Sequence, residues 1–448
     1  MNRSTNASWL KVMAGAAALT LTLTACGSDS DDDETAADPT DSPETSETTD
    51  DYTNDQCAGG TTSADTFKVV GILPLTGNLA FLGPPEVAGV GLAVSDINAA
   101  GGVGDADACN QMLDSGDATD ASVANNSAQQ AIAGEASVVV GAASSSVTQN
   151  IVDALTDAPI VQISPANTAV ALSGYDDFYF RTAPPDGIQG DALGNLIVAD
   201  GHQRVAFIVF NDAYGTGLRD VTQGVIENSG GEVVYGAKGG GQEFPPAQTS
   251  FSAEVSGALA ANPDAIVVLA FDETKAIIPE LGAQGWDMTK IYMTDGNTSS
   301  YGDDFDEGTL EGAKGTIPGN DPDEGFKDRL NGWYESAEGT TLNDYSYGAE
   351  SYDAVILAAL AAVKGGGTDP ETIQANLADV SGASDGEECT SYADCVELLD
   401  GGSEIRYTGP SGIGPFDDEN DPSSAFVGIY QYDNENNLEL VDTVEGAK

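Results

Sequence analysis

The stretch FKVVGILPLTG, residues 67–77, decides the fold. Six of its first seven residues, Phe67–Leu73, are apolar or glycine, without the regular polar alternation of a half-exposed strand. A short apolar run of this kind is typical of a strand that is buried on both faces of a parallel sheet. Pro74 and Gly77 then end the run with a small, uncharged loop. We therefore predict a central parallel strand at this position.

Five further short apolar runs indicate strands of the same kind. They are Ser137–Val140, Ile160–Ile163, Val205–Phe210, Ala265–Ala270 and Ile291–Met293. Amphipathic stretches lie between them, and in one of these Val87, Val90, Val94 and Ile97 share one helical face before Gly101-Gly102. Strands that alternate with helices form βαβ units with right-handed crossovers. Because the segment from Cys57 to Lys448 exceeds an average domain, we predict an α/β fold with two Rossmann-like lobes, each built on a parallel sheet.

The first residues have the organisation of an export signal. Arg3 and Lys11 precede an uncharged apolar run, Val12–Leu23, which is too short for a membrane span of roughly 20 residues. The sequence Leu23-Thr24-Ala25-Cys26-Gly27 then resembles a bacterial lipobox, which implies cleavage after residue 25 and a diacylglyceryl group on the Cys26 sulfur. We predict a lipoprotein signal peptide over residues 1–25, with secretion without lipid as the alternative.

Residues 26–56 are rich in Ser, Thr, Asp, Glu and Pro, and they contain no Lys or Arg. Such a composition cannot bury enough apolar surface to order a chain. We predict an acidic, disordered tether that holds the folded body away from a membrane. No later segment of the sequence is predicted to span a membrane.

The chain is strongly acidic, with 73 acidic and 15 basic residues and a formal net charge of -58. This balance argues against nucleic acid as a partner, because no basic stripe is present to replace the counterions of a polyanion. Salt adaptation or simple solubility explains the acidity without any acid-specific function. The charge also argues mildly against an anionic ligand.

Four cysteines remain if Cys26 is lipidated, and they allow three disulfide pairings. We favour Cys389 with Cys395, which closes a short loop, and Cys57 with Cys109, since each precedes a strand that should neighbour the other. A zinc site is the competing use of these thiols. The sequence has no CxxC pair and a single histidine, so we predict no metal.

The loops that follow the predicted strands are the candidate binding elements. In open parallel sheets, ligands bind outside the carboxyl ends of the strands. The loops at 141–146 and 164–168 are small, polar and uncharged, and the first includes Ser144-Ser145-Ser146 just before a predicted helix from Val147. A helix N-terminus with nearby hydroxyls suits a carboxylate. The alternative is that these serines only cap the helix.

An enzyme is the competing class of protein. Gly382–Gly386 matches the G-x-S-x-G pattern of hydrolases, but that motif needs a strand before it and a histidine after it, and His202 precedes it. The acidic run Asp417–Asp421 lacks the spacing of a calcium-binding loop. We predict a protein without catalytic residues, cofactor or metal.

The body of the chain resembles the branched-chain amino-acid-binding proteins of ABC transport systems, which have the type I periplasmic-binding fold. The resemblance lies in the order and spacing of short motifs that run nearly end to end. These motifs are Val69–Gly77, Asp96–Gly102, Val139–Gly141, Ile163–Thr168, Phe180–Thr182 and Asn211–Gly215.

The resemblance implies which lobe 1 residues hold the α-carboxylate of a ligand. In the family, a serine loop after the third strand and an Ala-x-Thr segment after the fourth have this role. The matching residues are Ser145, with Ser144 as an alternative, and Ala166 with Thr168.

For the second lobe, the resemblance implies that Tyr214 closes over the ligand and that Asp295 pairs with its α-ammonium. Phe271 matches an aromatic residue that commonly borders the cleft. The aromatic residue that often follows the first strand is replaced by Leu82, or by Phe81 if the alignment slips by one. This departure leaves the side-chain pocket, and therefore the identity of the amino acid, open.

The chemistry of these positions suits a zwitterion, whose two charges cost several kcal/mol to desolvate unless both find partners. A neutral cradle on one lobe and a carboxylate on the other satisfy both ends only when the lobes close. If Asp295 were a solvated loop acid, the ligand would instead be an amide, urea or another small neutral or aromatic solute.

The resemblance also implies the lobe layout. The first lobe combines 67–183 with 319–411, the second combines 184–318 with 412–448, and three crossovers form the hinge. The implied partners are a membrane permease and its ATPases, and the protein is expected to be a monomer on the outer face of the membrane. A ligand-sensing receptor domain with the same fold is the alternative.

Overall fold

The computed structural model describes residues 52–57, 66–104, 106–246 and 248–447. Its strands are β1 (Phe67–Leu73), β2 (Ala108–Asp114), β3 (Val138–Gly141), β4 (Val161–Ser164), β5 (Tyr179–Arg181), β6 (Arg204–Val209), β7 (Glu232–Tyr235), β8 (Ala265–Leu269), β9 (Ile291–Met293), β10 (Lys314–Pro318), β11 (Glu387–Cys389), β12 (Ile405–Tyr407), β13 (Ser424–Tyr432) and β14 (Leu438–Ala447). Its α-helices are α1 (Gly83–Ala99), α2 (Ala121–Ala133), α3 (Ser145–Asp157), α4 (Asp186–Ala199), α5 (Ala213–Asn228), α6 (Ser252–Ala260), α7 (Thr274–Ala283), α8 (Glu324–Glu338), α9 (Gly348–Gly365), α10 (Pro370–Val380) and α11 (Tyr392–Asp400).

The first sheet has five strands in the order β2-β1-β3-β4-β5, all parallel. Successive residues of β1 pack on opposite sides, so Val69 belongs to the core formed with α1 and α9, whereas Val70 belongs to the core formed with α2 and α3. Both faces are therefore buried, as the uninterrupted apolar run predicts. This sheet and the helices packed on it, α1–α3 and α8–α11, are called lobe 1.

The second sheet has seven strands in the order β14-β13-β10-β9-β8-β6-β7. Strands β6–β10 are parallel, whereas β13 pairs antiparallel with both β10 and β14. The predicted α/β fold is confirmed, with the difference that this sheet ends in an antiparallel pair. This sheet and helices α4–α7 are called lobe 2.

The chain passes between the two sheets three times: after β5, after β10 and before β13. The boundaries expected for the lobes, at residues 183, 318 and 411, lie in or beside these three segments. The first crossover is hydrogen-bonded to lobe 1, because the Thr182 hydroxyl donates to the Glu350 carbonyl oxygen at 2.8 Å.

The segment 52–57 corrects the expected extent of the tether, because it is bound to lobe 1. The Trp333 indole donates to the Thr53 carbonyl oxygen at 3.1 Å, and Gln56 forms a parallel bridge with Asn110 of β2. Cys57 is joined to Cys109, and Cys389 is joined to Cys395, which is the pairing that the sequence favours. Cys109 lies within β2 rather than before it. Residues 1–51, including the expected signal peptide, Cys26 and most of the tether, lie outside the described residues.

A buried ion pair joins β5 to the third crossover. The Arg181 guanidinium and the Asp421 carboxylate contact each other through two hydrogen bonds of 2.6 and 2.9 Å, and both side chains are at most 1% exposed. Arg181 also donates to the carbonyl oxygens of Asn167 and Ala169, at 3.3 and 2.9 Å. The loop after β4 is therefore held in place by the same side chain.

We expect the protein to become more stable as the pH falls from 7 to 5. Burial raises the pKa of Asp353 from 3.8 to about 6 in the folded state. A raised carboxyl pKa means that the folded state holds a proton that the unfolded state releases; its stabilisation is complete below pH 3.8 and is lost as the pH rises through about 6. Asp353 alone should contribute about 1 kcal/mol of extra stability at pH 5 relative to pH 7.

Urea unfolding of the native protein and of Asp353→Asn at both pH values checks this expectation. The variant should show a pH-dependent rise that is smaller by about 1 kcal/mol, because an amide does not titrate. An equal rise in both proteins would contradict the assignment to Asp353.

None of the helices in the described ranges has both the length and the apolarity needed to span a bilayer.

Candidate functional site

The loops at the carboxyl ends of both sheets meet in a small cavity between the lobes, called the cleft below. It is bordered by Leu79, Leu82, Ala143, Ser144, Ser145, Ala166 and Tyr347 from lobe 1 and by Tyr214, Phe271, Asp295 and Gly296 from lobe 2. Its volume is only about 10 Å³, which is about the space of one water molecule. The described conformation is therefore closed, and a larger ligand would require the lobes to separate.

The polar wall of lobe 1 is the start of α3 together with the loop after β4. Ser144 is the N-cap residue of α3, but its hydroxyl makes no capping hydrogen bond. The Ser145 hydroxyl accepts a weak hydrogen bond of 3.4 Å from the Ala169 amide, and Ala166 borders the same space. Free amide groups at a helix N-terminus and nearby hydroxyls favour a negative group such as a carboxylate.

The apolar wall of lobe 1 comes from the turn between β1 and α1. Leu79 and Leu82 are both buried and belong to the same hydrophobic cluster as the core of lobe 2. Phe81 borders a different cavity, near Tyr334 and Leu342. Of the two residues that the sequence leaves open at this position, Leu82 is the one at the cleft.

Tyr214 and Phe271 form the aromatic wall of lobe 2. Asp212 caps α5 by accepting a 2.7 Å hydrogen bond from the Tyr214 amide, which fixes Tyr214 in the first turn of the helix. The two rings are stacked, with centroids 5.6 Å apart and an interplanar angle of 12°. Phe271 directly follows Leu269 and Ala270 at the end of β8. Both rings that the resemblance implies for lobe 2 therefore lie at the cleft.

Asp295 is the acidic group of the cleft and follows β9 by two residues. It is 5% exposed, and its two carboxylate oxygens accept hydrogen bonds of 2.7 Å from the hydroxyls of Tyr214 and Tyr347. Burial raises the pKa of Asp295, while the tyrosine hydroxyls oppose that rise. No ion pair to Asp295 is present among the described residues. The cleft therefore contains a carboxylate that would be stabilised by a cationic group.

Tyr347 is a cleft residue that the sequence analysis does not predict. It lies in the loop before α9 of lobe 1, so its hydrogen bond to Asp295 joins the two lobes directly. Its backbone is left-handed, with φ of 61°, which for a bulky residue costs roughly 1–3 kcal/mol and is typical of functional sites. The only sequence signal is the tyrosine pair Tyr345 and Tyr347 before a long apolar helix.

Thr168 departs from its predicted position, because it is not among the residues that border the cleft. The Asp186 amide donates a 2.7 Å hydrogen bond to the Thr168 carbonyl oxygen and holds this residue against the start of α4. The Thr168 hydroxyl is buried and lies close enough to the Asp186 carboxyl to lower its pKa. Burial, followed by the charge of Asp295, nevertheless raises the pKa of Asp186 well above its usual value. Asp186 was not predicted from the sequence.

The catalytic and metal-binding candidates of the sequence lie away from the cleft. Ser384 of the Gly382–Gly386 segment lies between α10 and β11 and donates to Asp379 at 2.7 Å. His202 precedes β6, with its ring at 5.8 Å from that of Tyr292. Within the ranges that the structure describes, no group of three or more acidic, cysteine or histidine side chains is placed to hold a metal ion.

Two α/β lobes with a closable cleft at the carboxyl ends of their strands define a two-lobed binding protein of the class that captures small solutes. The chain belongs to the family called Periplasmic binding protein, whose family model matches residues 66–387. The resemblance identified from the sequence is thus confirmed at the level of the family. This is a family of binding proteins and not of enzymes, so the protein is not an enzyme.

Among curated proteins, the leucine-, isoleucine-, valine-, threonine- and alanine-binding protein of Pseudomonas aeruginosa is 32% identical over 188 residues, which are 41% of this chain and 49% of that protein. The Leu/Ile/Val-binding protein of Escherichia coli is 31% identical over 186 residues, 40% of this chain and 50% of that protein. The chain therefore matches about half the length of these relatives.

Two solved structures show the same fold. The leucine binding protein from Thermotoga maritima has a TM-score of 0.68 and 20% identity, and the alignment covers 85% of this chain and 99% of that chain. The branched-chain amino acid transporter substrate binding protein from Streptococcus pneumoniae, solved in complex with isoleucine, has a TM-score of 0.66 and 22% identity, with coverage of 85% and 100%.

Proposed function

We propose that this chain is an extracytoplasmic solute-binding lipoprotein of an ABC importer and that it binds an amino acid, branched-chain or similar, in the cleft. The observation that supports this most is the position of Asp295, a buried carboxylate of lobe 2 that lies at the cleft with the start of α3. One wall thus suits an α-ammonium and the other suits an α-carboxylate.

In this proposal, Ser144, Ser145 and Ala166 hold the α-carboxylate through amide and hydroxyl groups, and Asp295 holds the α-ammonium. The hydroxyls of Tyr214 and Tyr347 already donate to Asp295, so they orient the carboxylate and reduce the cost of its burial. Thr168 is left out of this contact set because it does not border the cleft.

The side chain of the ligand would lie against Leu79, Leu82 and Phe271, together with the ring of Tyr214. These contacts are apolar, which favours an aliphatic or aromatic side chain over a charged one. The carboxylate of Asp295 at the cleft argues against a second negative charge on the ligand.

The choice of branched-chain amino acids and of a transporter as partner is based on the names of related proteins. The matching curated proteins bind leucine, isoleucine and valine by name, and one neighbour in structure is described as part of a transporter. Lipid on Cys26 and the partnership with a permease and its ATPases are proposed from the sequence and from this family membership.

A thermal-shift screen of the full chain against amino acids, short amides, urea and aromatic acids tests the ligand class. Aromatic acids belong in the panel because a fold neighbour from R. palustris was solved with benzoate. Leucine, isoleucine or valine at 100 times its dissociation constant should add about 2.7 kcal/mol to the free energy of unfolding. Stabilisation by urea or short amides alone would overturn the amino-acid assignment.

Lipidation is tested separately by expression of the native chain and of Cys26→Ser in a bacterium supplied with labelled palmitate. The native chain should take up label and sediment with membranes, whereas Cys26→Ser should do neither. Equal labelling of both proteins would rule out Cys26 as the lipidated residue.

A further inference from the structure

A second and larger cavity lies beside the crossover from β10 to α8, and we call it the hinge cavity. Its volume is about 340 Å³, within the range of sites for small molecules. Residues 317–322 of the crossover form one side. Tyr430 of β13 and Leu438 of β14 come from lobe 2, whereas residues 343–347 and Glu350 come from lobe 1.

The hinge cavity contains more acid than base. Asp321, Asp344 and Glu350 line it, and Lys327 is the one basic residue among the described residues of its wall. The Lys327 ammonium is bound to the Asp321 carboxylate at 2.9 Å. Asp344 and Glu350 form no ion pair with any residue in the described part of the chain, and burial raises the pKa of both.

Among these acidic residues, Glu350 gives the strongest indication of a bound cation. It is 3% exposed, and burial raises the pKa of its carboxyl group, with only its own backbone opposing that rise. Its Oε1 atom lies directly over Gly319 of the crossover, where a Cβ atom would come within 2.0 Å of it. A buried carboxylate of this kind is costly unless a cation or a set of donors reaches it.

Three tyrosines complete the walls: Tyr345, Tyr347 and Tyr430. The Lys327 ammonium lies 6.0 Å from the centroid of the Tyr345 ring, so one cation already contacts an aromatic ring here. The pKa of the Tyr430 hydroxyl is raised by burial and then by the charges of Asp321, Asp344 and Glu350, which places that hydroxyl near all three carboxyl groups. Aromatic rings with nearby carboxylates are the usual surroundings of a bound organic ammonium ion.

We propose that the hinge cavity binds an organic ammonium ion, with its charge between Asp344 and Glu350 and its carbon groups against the tyrosine rings. This site is separate from the cleft, although Tyr347 borders both. The proposal does not depend on the identity of the ligand in the cleft.

Isothermal titration of the full chain with choline at pH 8, which favours the ionised form of the carboxyl groups, tests the proposal. The neutral isostere 3,3-dimethylbutan-1-ol serves as the matched ligand, and calcium chloride at equal ionic strength serves as the metal control. Choline should bind at a single site, and the alcohol should bind at least about tenfold more weakly, since it lacks the charge that the carboxylates and rings attract. Absence of choline binding, or equal binding of the alcohol, would overturn the proposal.

Two variants locate the site. Glu350→Gln and Asp344→Asn should each weaken choline binding by at least about tenfold, whereas Asp303→Asn, which removes an exposed acid of equal charge, should change it less than about twofold. If one variant failed to fold, the other would still report on the same cavity. Choline binding that is unchanged in both variants would place the ion elsewhere, and calcium that displaced choline at an equal concentration would overturn the organic class of ligand.

Discussion

Replacement of Asp295 by asparagine is expected to weaken amino-acid binding by about two to three orders of magnitude. Loss of one partner from a buried charged contact costs 2–5 kcal/mol, and each 1.4 kcal/mol is a factor of about ten in affinity. In the proposed binding mode the effect is large because the start of α3 contacts the opposite end of the ligand and cannot compensate for the lost carboxylate. Titration calorimetry with leucine, isoleucine and valine measures the change.

The unfolding free energy of the ligand-free protein separates this effect from a folding defect. Asp295→Asn removes a buried carboxylate with a raised pKa, so the variant should be as stable as the native protein or more stable. Asp272→Asn removes the same charge from an exposed neighbour of Phe271 and should change affinity less than about twofold. Native affinity in Asp295→Asn would show that the ligand is neutral or is bound elsewhere.

The largest loss of stability is expected from Asp421→Asn. This change leaves the buried Arg181 charge without its carboxylate, and a broken buried pair costs about 3–5 kcal/mol. The guanidinium also holds the carbonyl oxygens of Asn167 and Ala169, so the loop that contains Ala166 should lose its fixed position as well. Urea unfolding followed by circular dichroism measures the stability, and leucine titration measures the consequence for the cleft.

Glu232→Gln is the matched control for this experiment, since it breaks the exposed pair between Arg204 and Glu232, whose side chains are 42% and 61% exposed. Exposed pairs contribute about 0–1 kcal/mol, so this variant should be nearly as stable as the native protein. A loss for Asp421→Asn that is no larger than for Glu232→Gln would contradict the role assigned to the buried pair.

Local sequence patterns were sufficient for the parts of the fold that are buried on both faces. β1 was predicted because its apolar residues are consecutive, and β3 and β6 were predicted on the same basis. β2 was not among the strands identified, because it is an edge strand with polar residues and its second half is exposed or half-buried. Its position depends on pairing with β1 rather than on its own pattern.

The same division holds for the cleft. Tyr214, Phe271 and Asp295 follow strands or begin a helix, so the family resemblance could be carried to them along short, ordered motifs. Tyr347 and Asp186 could not be predicted, because their places depend on contacts between segments far apart in the chain: Tyr347 reaches across to Asp295, and Asp186 is held by Thr168. Composition likewise suggested that residues 52–56 are disordered, but their partner Trp333 is 280 residues away.

The attachment of residues 52–57 to lobe 1 determines which lobe is fixed relative to anything joined to the amino end of the chain. Anything joined to the amino end, whether a lipid or a solid support, is carried by lobe 1 through the Cys57–Cys109 bond and the contact with Trp333. If the lobes separate, lobe 2 is the half that moves relative to such an anchor. A protein immobilised by its amino end therefore keeps the full range of that movement, whereas immobilisation through surface groups of both lobes would lock it.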